Sequence, residues 1–257
     1  MSNDIVLQNL QSGLLTITMN RPDRRNALNP DMTRGLVEAA RRAAEDHEVR
    51  AVLLKGAGGT FCAGADLNAL GGPAANRTEP SGDGPMGPTR MRLAKPVIAA
   101  ISGHAVAGGL ELALWCDLRV AEEDAVLGVF CRRFGVPLID GGTVRLPKVV
   151  GLGRALDLIL TGRPVPAPEA LAMGLVNRVV PPGQAKAAAQ ELASEIAALP
   201  QDCLRSDRAS TLAGAWLSKE EAMANEFRHG QQILASAALA EGVRRFRDGA
   251  GRGGAPL

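Results

Sequence analysis

Apolar residues recur in two different periods along the first half of the chain. Residues 14–20, "LLTITMN", alternate apolar and polar positions and predict a strand. Residues 51–56, "AVLLKG", and 95–103, "KPVIAAISG", are short apolar runs that end in glycine, which is typical of buried strands. Residues 30–47 have helical spacing, and 108–117, "GGLELALWCD", predict a buried helix that begins at a glycine pair. Strands that alternate with helices indicate a sheet that is at least partly parallel.

The second half of the chain has a different pattern. Residues 118–129 hold at least one more short strand, but from about residue 153 onward the spacing is helical, which predicts a helical subdomain. Residues 71–89, "GGPAANRTEPSGDGPMGPT", are rich in Gly, Pro and Ala and contain few large apolar side chains. This composition predicts a mobile loop, either a tolerated surface insertion or the flexible wall of a binding pocket.

Composition and charge exclude several classes of protein. The chain has 257 residues, of which 46% are hydrophobic, so one large α/β domain or a core with a small appendage is possible. A net charge of +2 and only 3% aromatic residues argue against nucleic acid as the main partner. No apolar run has membrane-spanning length, and the first ten residues lack the pattern of a signal peptide. The four cysteines are widely spaced, which disfavours a metal site or disulfides, and we predict a cytoplasmic protein.

Two glycine-rich corners share one form, in which a strand is followed by small residues and then by a helix. They are residues 58–67, "GGTFCAGADL", and residues 101–113, "ISGHAVAGGLELA". Such corners leave backbone N–H groups unpaired at the start of a helix, and glycine permits close approach of another molecule. Two corners that face one point could hold an oxygen atom that becomes negative during a reaction.

Five segments in order resemble the crotonase superfamily, also called the enoyl-CoA hydratase/isomerase superfamily. The resemblance implies an α/β fold, a crotonase-like spiral of ββα units related to the ClpP peptidases, with a C-terminal helical subdomain. It places a core with the CoA site at residues 1–195 and a helical trimerisation subdomain at residues 196–257. The segments are "NRPDRRNALN" (20–29), "GTFCAGADL" (59–67), "KPVIAAISGHAVAGGLELALWCDLRVA" (95–121), "GGTVRLPKVVG" (141–151) and "LTGRPVPAPEALAMGLVNRVVPP" (160–182).

The resemblance also implies where the substrate binds. In the family, the turns that match "AGAD" and "GGLE" supply two N–H groups to the carbonyl of a CoA thioester, and these fall on Ala65 and Gly108. Coenzyme A enters as part of the substrate, and neither a further cofactor nor a metal is implied. The residues expected along the CoA moiety are Arg25, Ala27, Ala63, Asp66 and Leu67; a solvated charge run is the alternative for Arg25.

The family's hydratases use two glutamates, and this chain retains one of them. Glu111 stands three residues after the oxyanion glycine, in the first turn of an apolar helix, where it matches the first glutamate. The second glutamate belongs at the position of Cys131, and its absence puts ordinary hydratase activity in doubt. The thiol is either a packed free cysteine or a group whose pKa Arg132 and Arg133 lower.

Asp140 is the other candidate for acid–base chemistry. Some crotonase relatives carry an active-site aspartate in the same glycine-rich segment, and the "DGG" at 140–142 resembles that of the naphthoate synthases. Those synthases lack the first glutamate, whereas this chain keeps Glu111. A catalytic or substrate-contacting role for Asp140 therefore competes with that of an aspartate capping a helix that begins near Thr143.

Three hypotheses for function follow from these residues. The first is an enzyme that stabilises the enolate of an acyl-CoA thioester, for hydration or double-bond isomerisation of an enoyl-CoA. The second is a non-catalytic CoA-binding relative that has lost part of its acid–base set, and the third is a peptidase of the related ClpP-like fold, which lacks support because no G-x-S-x-G motif is present. The family further implies a homotrimer or a dimer of trimers.

Overall fold

A computed structural model describes residues 4–73, 75–250 and 253 of the chain. Within those residues the strands are β1 (Val6–Gln11), β2 (Leu14–Met19), β3 (Ala51–Gly56), β4 (Val97–Ile101), β5 (His104–Val106), β6 (Leu118–Glu122), β7 (Val126–Gly128), β8 (Val165–Pro166) and β9 (Arg178–Val180). The helices are α1 (Pro30–Glu45), α2 (Gly108–Trp115), α3 (Gly142–Val150), α4 (Leu152–Thr161), α5 (Ala167–Ala172), α6 (Ala185–Ala198), α7 (Gln201–Gly214), α8 (Lys219–Leu234) and α9 (Ala237–Arg247).

The larger sheet has the strand order β1-β2-β3-β4-β6-β9. β1 runs antiparallel to β2, and every other neighbouring pair in this sheet is parallel. β5, β7 and β8 form a smaller sheet of three strands, in which β5 and β7 are parallel. The alternation of strands and helices predicted from the sequence is therefore confirmed, together with the largely parallel pairing.

The central strands are apolar because both of their faces are covered. All five residues of β4 and the first four residues of β3 are buried. α1 packs an apolar stripe that includes Met32, Leu36 and Ala40 into the core. Its start is fixed by Asn29, whose side chain accepts a hydrogen bond of 3.1 Å from the Met32 N–H.

Four strands were not predicted. One of them, β5, begins directly after the apolar run at 95–103. β1 has a weak apolar alternation and lies at the edge of the sheet, so its conformation depends on pairing with β2. β8 and β9 lie beyond residue 153, where only helices were predicted, and β9 is the far edge of the larger sheet. Strands of two or three residues carry too few positions to show a period, and their backbones are fixed by their neighbours instead.

The chain divides into two compact units, of which the first ends at Ala193 and the second begins at Ser194, inside α6. Within the second unit Asn225 of α8 donates a hydrogen bond of 3.3 Å to the Ser210 hydroxyl of α7. A reciprocal cap between Ser218 and Glu221 starts α8. None of the helices in the described part of the chain has the length and apolar character needed to cross a membrane.

Candidate active site

The two glycine-rich corners lie against each other. Cys62 donates its N–H to the His104 carbonyl (2.9 Å) and accepts from the Val106 N–H (3.1 Å), so the corners run side by side for a short distance. They are also close together at Gly64, where an added methyl group would lie 3.0 Å from the nitrogen of Gly108. The structure thus brings together the two turns that the sequence analysis singled out.

Each corner presents one N–H group that remains available. The Leu28 N–H bonds to the Gly64 carbonyl and the Asp66 N–H bonds to the Leu28 carbonyl, which turns the intervening Ala65 N–H away from Leu28. Gly108 is the first residue of α2, so its N–H has no partner within the helix. Neither the Ala65 nor the Gly108 N–H donates to any residue in the part of the chain that the structure describes. A pair of free N–H groups on adjacent turns can bind an oxygen atom that carries negative charge.

The backbone in front of α2 is strained. Ala107 has φ 54° and ψ −128°, a conformation that residues with a side chain rarely adopt. It is held there by a hydrogen bond of 2.9 Å from its N–H to the Gly128 carbonyl. Close packing adds a second restraint, because a methyl group on Gly109 would lie 2.2 Å from the carbonyl oxygen of Cys62. Ala107 therefore fixes the direction of the Gly108 N–H at a cost of about 1–3 kcal/mol.

Glu111 is a buried carboxyl group in the first turn of α2. Its Oε1 accepts hydrogen bonds from the N–H of Asp140 (2.9 Å) and of Gly142 (2.8 Å), both at the start of α3. Burial raises the pKa of Glu111 to about 7, although the two N–H groups and Arg145 oppose this shift. The second carboxyl oxygen accepts no hydrogen bond within the described residues. At neutral pH Glu111 is therefore both a proton donor and a proton acceptor, with one oxygen fixed and one available.

Asp140 lies next to Glu111, but its side chain points toward another segment. Its Oδ1 accepts a hydrogen bond of 2.9 Å from the Met86 N–H and a short one from the Thr89 hydroxyl. Its carbonyl oxygen accepts from Arg145 Nη1 at 2.8 Å. Burial raises the pKa of the Asp140 carboxyl, and the hydrogen bonds from Thr89 and Met86 counteract part of that effect.

The interpretation of Asp140 as a helix cap is wrong. α3 begins at Gly142, its N-cap residue is Gly141 with φ 94°, and no side chain accepts a hydrogen bond there. The Asp140 carboxylate accepts hydrogen bonds from residues 86 and 89 and, within the described residues, from no N–H group of α3. The carboxylate binds a segment that is distant in the sequence instead of capping the helix that follows it, although the local sequence favours the cap.

The loop at 71–89 is less exposed than its composition predicted. Residues 84–89 are buried, and Gly84 and Gly87 close a turn with two hydrogen bonds of 2.9 Å. The side chain of Met86 lies against Gly108, since a methyl group added to that glycine would meet the thioether sulfur at 2.7 Å. The prediction of a mobile loop is wrong for residues 84–89, which are packed into the site.

Cys131 is a packed thiol. It is 7% exposed in a 3-10 turn at Phe130–Phe134. Burial and then the neighbouring Glu111 charge raise the pKa of this thiol, and Arg132 offsets only part of the rise. The hypothesis that the two arginines lower its pKa is therefore wrong.

The arginines after Cys131 are engaged elsewhere. Arg132 Nε donates to the Ile159 carbonyl at 3.2 Å, at the end of α4. The guanidinium of Arg133 lies 4.0 Å from the centre of the Phe130 ring. Arg133 Nε also donates to the Gly162 carbonyl at 3.1 Å, so both side chains hold the turn against the end of α4.

Comparison with known proteins identifies the family. The family model described as "Enoyl-CoA hydratase/isomerase" matches residues 9–249. The chain belongs to this family. It is 40% identical over 249 residues to enoyl-CoA hydratase EchA19 of Mycobacterium tuberculosis, covering 91% of this chain and 90% of the relative. It is 39% identical over 199 residues to the short-chain-enoyl-CoA hydratase of Clostridium acetobutylicum, covering 76% and 75%.

Solved structures of the enoyl-CoA hydratase/isomerase family have the same fold. Enoyl-CoA hydratase EchA1 of Mycobacterium marinum superposes with a TM-score of 0.90 at 35% identity, covering 95% of this chain and 96% of that one. The predicted crotonase-like α/β fold and the membership in the crotonase superfamily are confirmed. The chain is an enzyme of the enoyl-CoA hydratase/isomerase type.

Of the residues expected along CoA, Arg25 lies in a left-handed turn with Asn26, and Ala27 follows that turn. Arg25 has φ 50°, its side chain is exposed, and its carbonyl accepts from the Ala63 N–H at 3.1 Å. The Ala27 carbonyl accepts from Arg21 Nη1 at 2.6 Å. The turn is held from within by Asn26, a buried amide that the sequence analysis missed and that donates to two carbonyls of residues 57–60.

The other expected CoA contacts, Asp66 and Leu67, begin the next loop. The Asp66 carboxylate is paired with Arg21 at 3.1 Å, and Leu67 is 48% exposed. The ion pair joins the loop before α1 to the corner that carries Ala65. A CoA contact at Asp66 stays a prediction, as does each of the other expected contacts.

Three residues near Glu111 were missed by the sequence analysis. Met86 and Thr89 lie in a segment that its composition marked as a loop, and no local signal points to a site there. Arg145 lies inside the quoted motif "GGTVRLPKVVG", so its place beside Asp140 could have been inferred from helical spacing. Among the described residues no group of three or more His, Cys, Asp or Glu side chains is arranged to hold a metal ion.

Proposed function

We propose that this enzyme binds an enoyl-CoA thioester and stabilises its enolate, with the Ala65 and Gly108 N–H groups on the thioester oxygen. Glu111 is the group that transfers the proton. The observation that carries the proposal is the state of this carboxyl, which is buried in α2, anchored through Oε1 and has a pKa of about 7. It lies three residues after Gly108, in the first turn of the same helix.

The two N–H groups favour the enolate over the thioester. When water adds to the β-carbon of a 2-enoyl thioester, electron density moves onto the thioester oxygen, and a proton must reach the α-carbon. Donors that are already oriented toward that oxygen stabilise the charge without reorganising. As a carboxylate, Glu111 takes a proton from the attacking water while the water oxygen bonds to the β-carbon, and it then gives that proton to the α-carbon, so that the product is a 3-hydroxyacyl thioester.

Double-bond isomerisation is the second candidate reaction, and Cys131 favours it. A neutral thiol occupies the position where the family's hydratases carry their second glutamate, so one carboxyl group must do all of the proton transfer. A single carboxyl suffices for isomerisation. Glu111 takes a proton from C2 of a 3-enoyl thioester, the electrons spread onto the thioester oxygen, and the same proton returns at C4. No other reactant is consumed.

Turnover of crotonyl-CoA and of a 3-enoyl-CoA tests the proposal and separates the two reactions. We expect Glu111→Gln to keep the hydrogen bonds from residues 140 and 142 and to lose about 10²–10⁴ in kcat on whichever substrate is used. CoA binding, measured by calorimetry, is expected to be unchanged. A Glu111→Gln variant with wild-type kcat would show that this carboxyl does not move the proton.

A structure with a bound acyl-CoA tests the oxygen site. The thioester oxygen is expected about 2.7–3.1 Å from the nitrogens of both Ala65 and Gly108. An oxygen bound elsewhere would refute the assignment of the two turns. The same structure tests the proposed CoA contacts, namely Arg25, Ala27, Ala63, Asp66 and Leu67.

The remaining proposals concern the oligomeric state, the cellular location and the cofactor requirement. We propose a homotrimer or a dimer of trimers, which is supported by large exposed apolar side chains in the second unit. Light scattering measures the mass directly, and a monomeric mass would contradict it. A cytoplasmic location and activity with no cofactor beyond the CoA of the substrate are further proposals; activity that a chelator abolishes would contradict the latter. The exposed side chains are Trp216, Met223, Phe227, Leu234 and Phe246.

A further inference from the structure

Three residues from two segments form a closed ring of hydrogen bonds beside Glu111. The Asp140 carboxylate accepts from the Thr89 hydroxyl. Arg145 of α3 donates Nη1 to the Asp140 carbonyl (2.8 Å) and Nη2 to the Thr89 carbonyl (2.6 Å). Thr89 therefore bonds to both partners, and so do Asp140 and Arg145. The ring ties residues 84–90 to the start of α3.

The ring includes the peptide that holds the carboxyl of Glu111. Asp140 donates its own N–H to Glu111 Oε1, and two residues later Gly142 donates to the same oxygen. The N–H, the carbonyl and the carboxylate of Asp140 thus each bind a different partner. Its N–H binds Glu111, its carbonyl binds Arg145, and its carboxylate binds Thr89 and the N–H of Met86.

The same contacts reach the wall formed by Met86, which lies against Gly108. Met86 donates its N–H to Asp140, and its thioether lies against Gly108. Gly84 packs beside the ring, since a methyl group there would lie 2.8 Å from Asp140 Oδ1. One aspartate therefore connects the wall over Gly108 with the peptide that anchors Glu111.

We propose that Asp140, together with Thr89 and Arg145, positions Glu111 and the wall at Met86, and that Asp140 transfers no proton itself. This inference rests on the proposed role of Glu111 in enoyl-CoA chemistry. It replaces the catalytic role that the sequence suggested for Asp140. A positioning role explains why the aspartate is 4% exposed and why its Oδ1 accepts two hydrogen bonds from residues 86 and 89.

The charged groups that face Glu111 shift its pKa, and this shift offers a way to measure the positioning role of Asp140. The Asp140 charge raises the pKa of Glu111 and the Arg145 charge lowers it, while Cys131 is the neighbouring thiol. Arg90 and Arg145 face Asp140 itself. An asparagine at position 140 keeps an oxygen that accepts from Met86 and Thr89, yet it removes the negative charge. Removal of the Asp140 charge is expected to lower the pKa of Glu111, whereas removal of the Arg145 charge is expected to raise it.

The experiment compares Asp140→Asn, Asp140→Ala and Arg145→Met with wild type, using the pH dependence of kcat/KM on an active enoyl-CoA substrate. We expect Asp140→Asn to keep kcat within about threefold, because the hydrogen bonds remain. The limb of its pH profile that reports Glu111 moves to lower pH, whereas Arg145→Met moves it to higher pH. Asp140→Ala loses kcat by about 10–100-fold, because Glu111 and the wall lose their support. Asp31→Asn, a charge removal on the exposed side of α1, is the matched control and leaves the profile unchanged.

Several results would overturn the inference. A loss of about 10²–10⁴ in Asp140→Asn would make the aspartate a proton carrier. An unshifted profile in Asp140→Asn and Arg145→Met, or full activity in Asp140→Ala, would remove the positioning role. If Asp140→Ala does not fold, the opposite pH shifts of the other two variants still decide the matter. Absence of turnover by the wild type on every enoyl-CoA would instead refute the proposed function, independently of Asp140.

Discussion

The turn before α2 and the segment at residues 131–142 differ in how far their polar groups are hydrogen-bonded within the protein. At the turn, Ala107 is strained and the Gly108 N–H has no partner within the described residues. In the other segment the charged side chains are engaged. Arg132 and Arg133 bind carbonyls at the end of α4, and the Asp140 carboxylate binds residues 86 and 89.

The difference separates groups that act on a substrate from groups that hold them in place. An N–H group that has no protein partner is available to a ligand, and its direction is set by strain and close packing around it. A carboxylate whose hydrogen bonds are satisfied within the protein fixes geometry instead. Glu111 lies between the two regions, because one oxygen is anchored and the other is available.

This comparison predicts that the largest loss of activity follows substitution of Gly64. This glycine has φ 98°, and a methyl group there would lie 2.9 Å from the Cβ of Ala107 and 3.0 Å from the Gly108 nitrogen. We expect Gly64→Ala to push the two turns apart and to lower kcat/KM by about 10²–10³. Gly59→Ala is the matched control, because Gly59 also has positive φ (73°) but faces open space.

Both glycine variants strain the backbone by roughly 1–2 kcal/mol, and Gly64→Ala should lose further thermal stability because its methyl group also meets Ala107. Only Gly64→Ala should lose activity. Equal activities of the two variants would mean that the spacing of the turns is not critical.

Stability should depend on pH through Glu111. Its pKa is about 7 in the folded protein, against 4.5 for an ordinary glutamate. Below pH 4.5 both states are protonated; as the pH rises to 7 the unfolded state ionises first, so the free energy of unfolding falls. The loss amounts to roughly 3 kcal/mol and is complete above pH 7.

Glu111→Gln removes this loss, so the variant should gain stability relative to wild type across the same interval. Urea unfolding at several pH values measures the difference between the two proteins. A difference for Glu111→Gln that does not change with pH would contradict the raised pKa.

A smaller effect is expected at Arg133. Its guanidinium lies 4.0 Å from the centre of the Phe130 ring, on the outside of the turn that contains Cys131. Arg133→Met should lower the free energy of unfolding by about 0.5–1 kcal/mol through the lost cation–π contact. The loss should shrink in a Phe130→Leu background, and an equal loss in both backgrounds would show that the ring is not the partner.

The smallest effect is expected at Cys131. Since burial and the Glu111 charge raise the pKa of the thiol, it is neutral at physiological pH and should not take part in proton transfer. Cys131→Ala should therefore keep kcat within about twofold of wild type, with an unchanged pH profile. A profile that loses one of its limbs would assign that limb to the thiol.

The elements with strong periods were predicted correctly from the sequence. β2, β3, α1 and α2 lie where the spacing of apolar residues placed them, and β4 lies within the predicted 95–103. β1, β8 and β9 were missed because edge strands and very short strands take their conformation from neighbours. The single strand predicted at 95–103 ends before β5, which pairs in the smaller sheet.

The residues of the candidate site also divide into those that lie in local sequence motifs and those whose contacts come from distant segments. The motifs of the two corners and of Glu111 are local, and so the sequence and its family resemblance were enough to propose Ala65, Gly108 and Glu111. The task of Asp140 depends on Thr89 and Met86, which are more than fifty positions away. No local pattern encodes such a contact.

The sequence by itself therefore determined the family, the order of the central elements and the first glutamate, since each of these is written in short contiguous motifs. Only the tertiary structure decided what replaced the second glutamate. It made Cys131 a buried neutral thiol and directed the Asp140 carboxylate toward residues 86–89. The physical reason is that burial and hydrogen-bond partners set the behaviour of a titratable group, and both come from segments far apart in the chain.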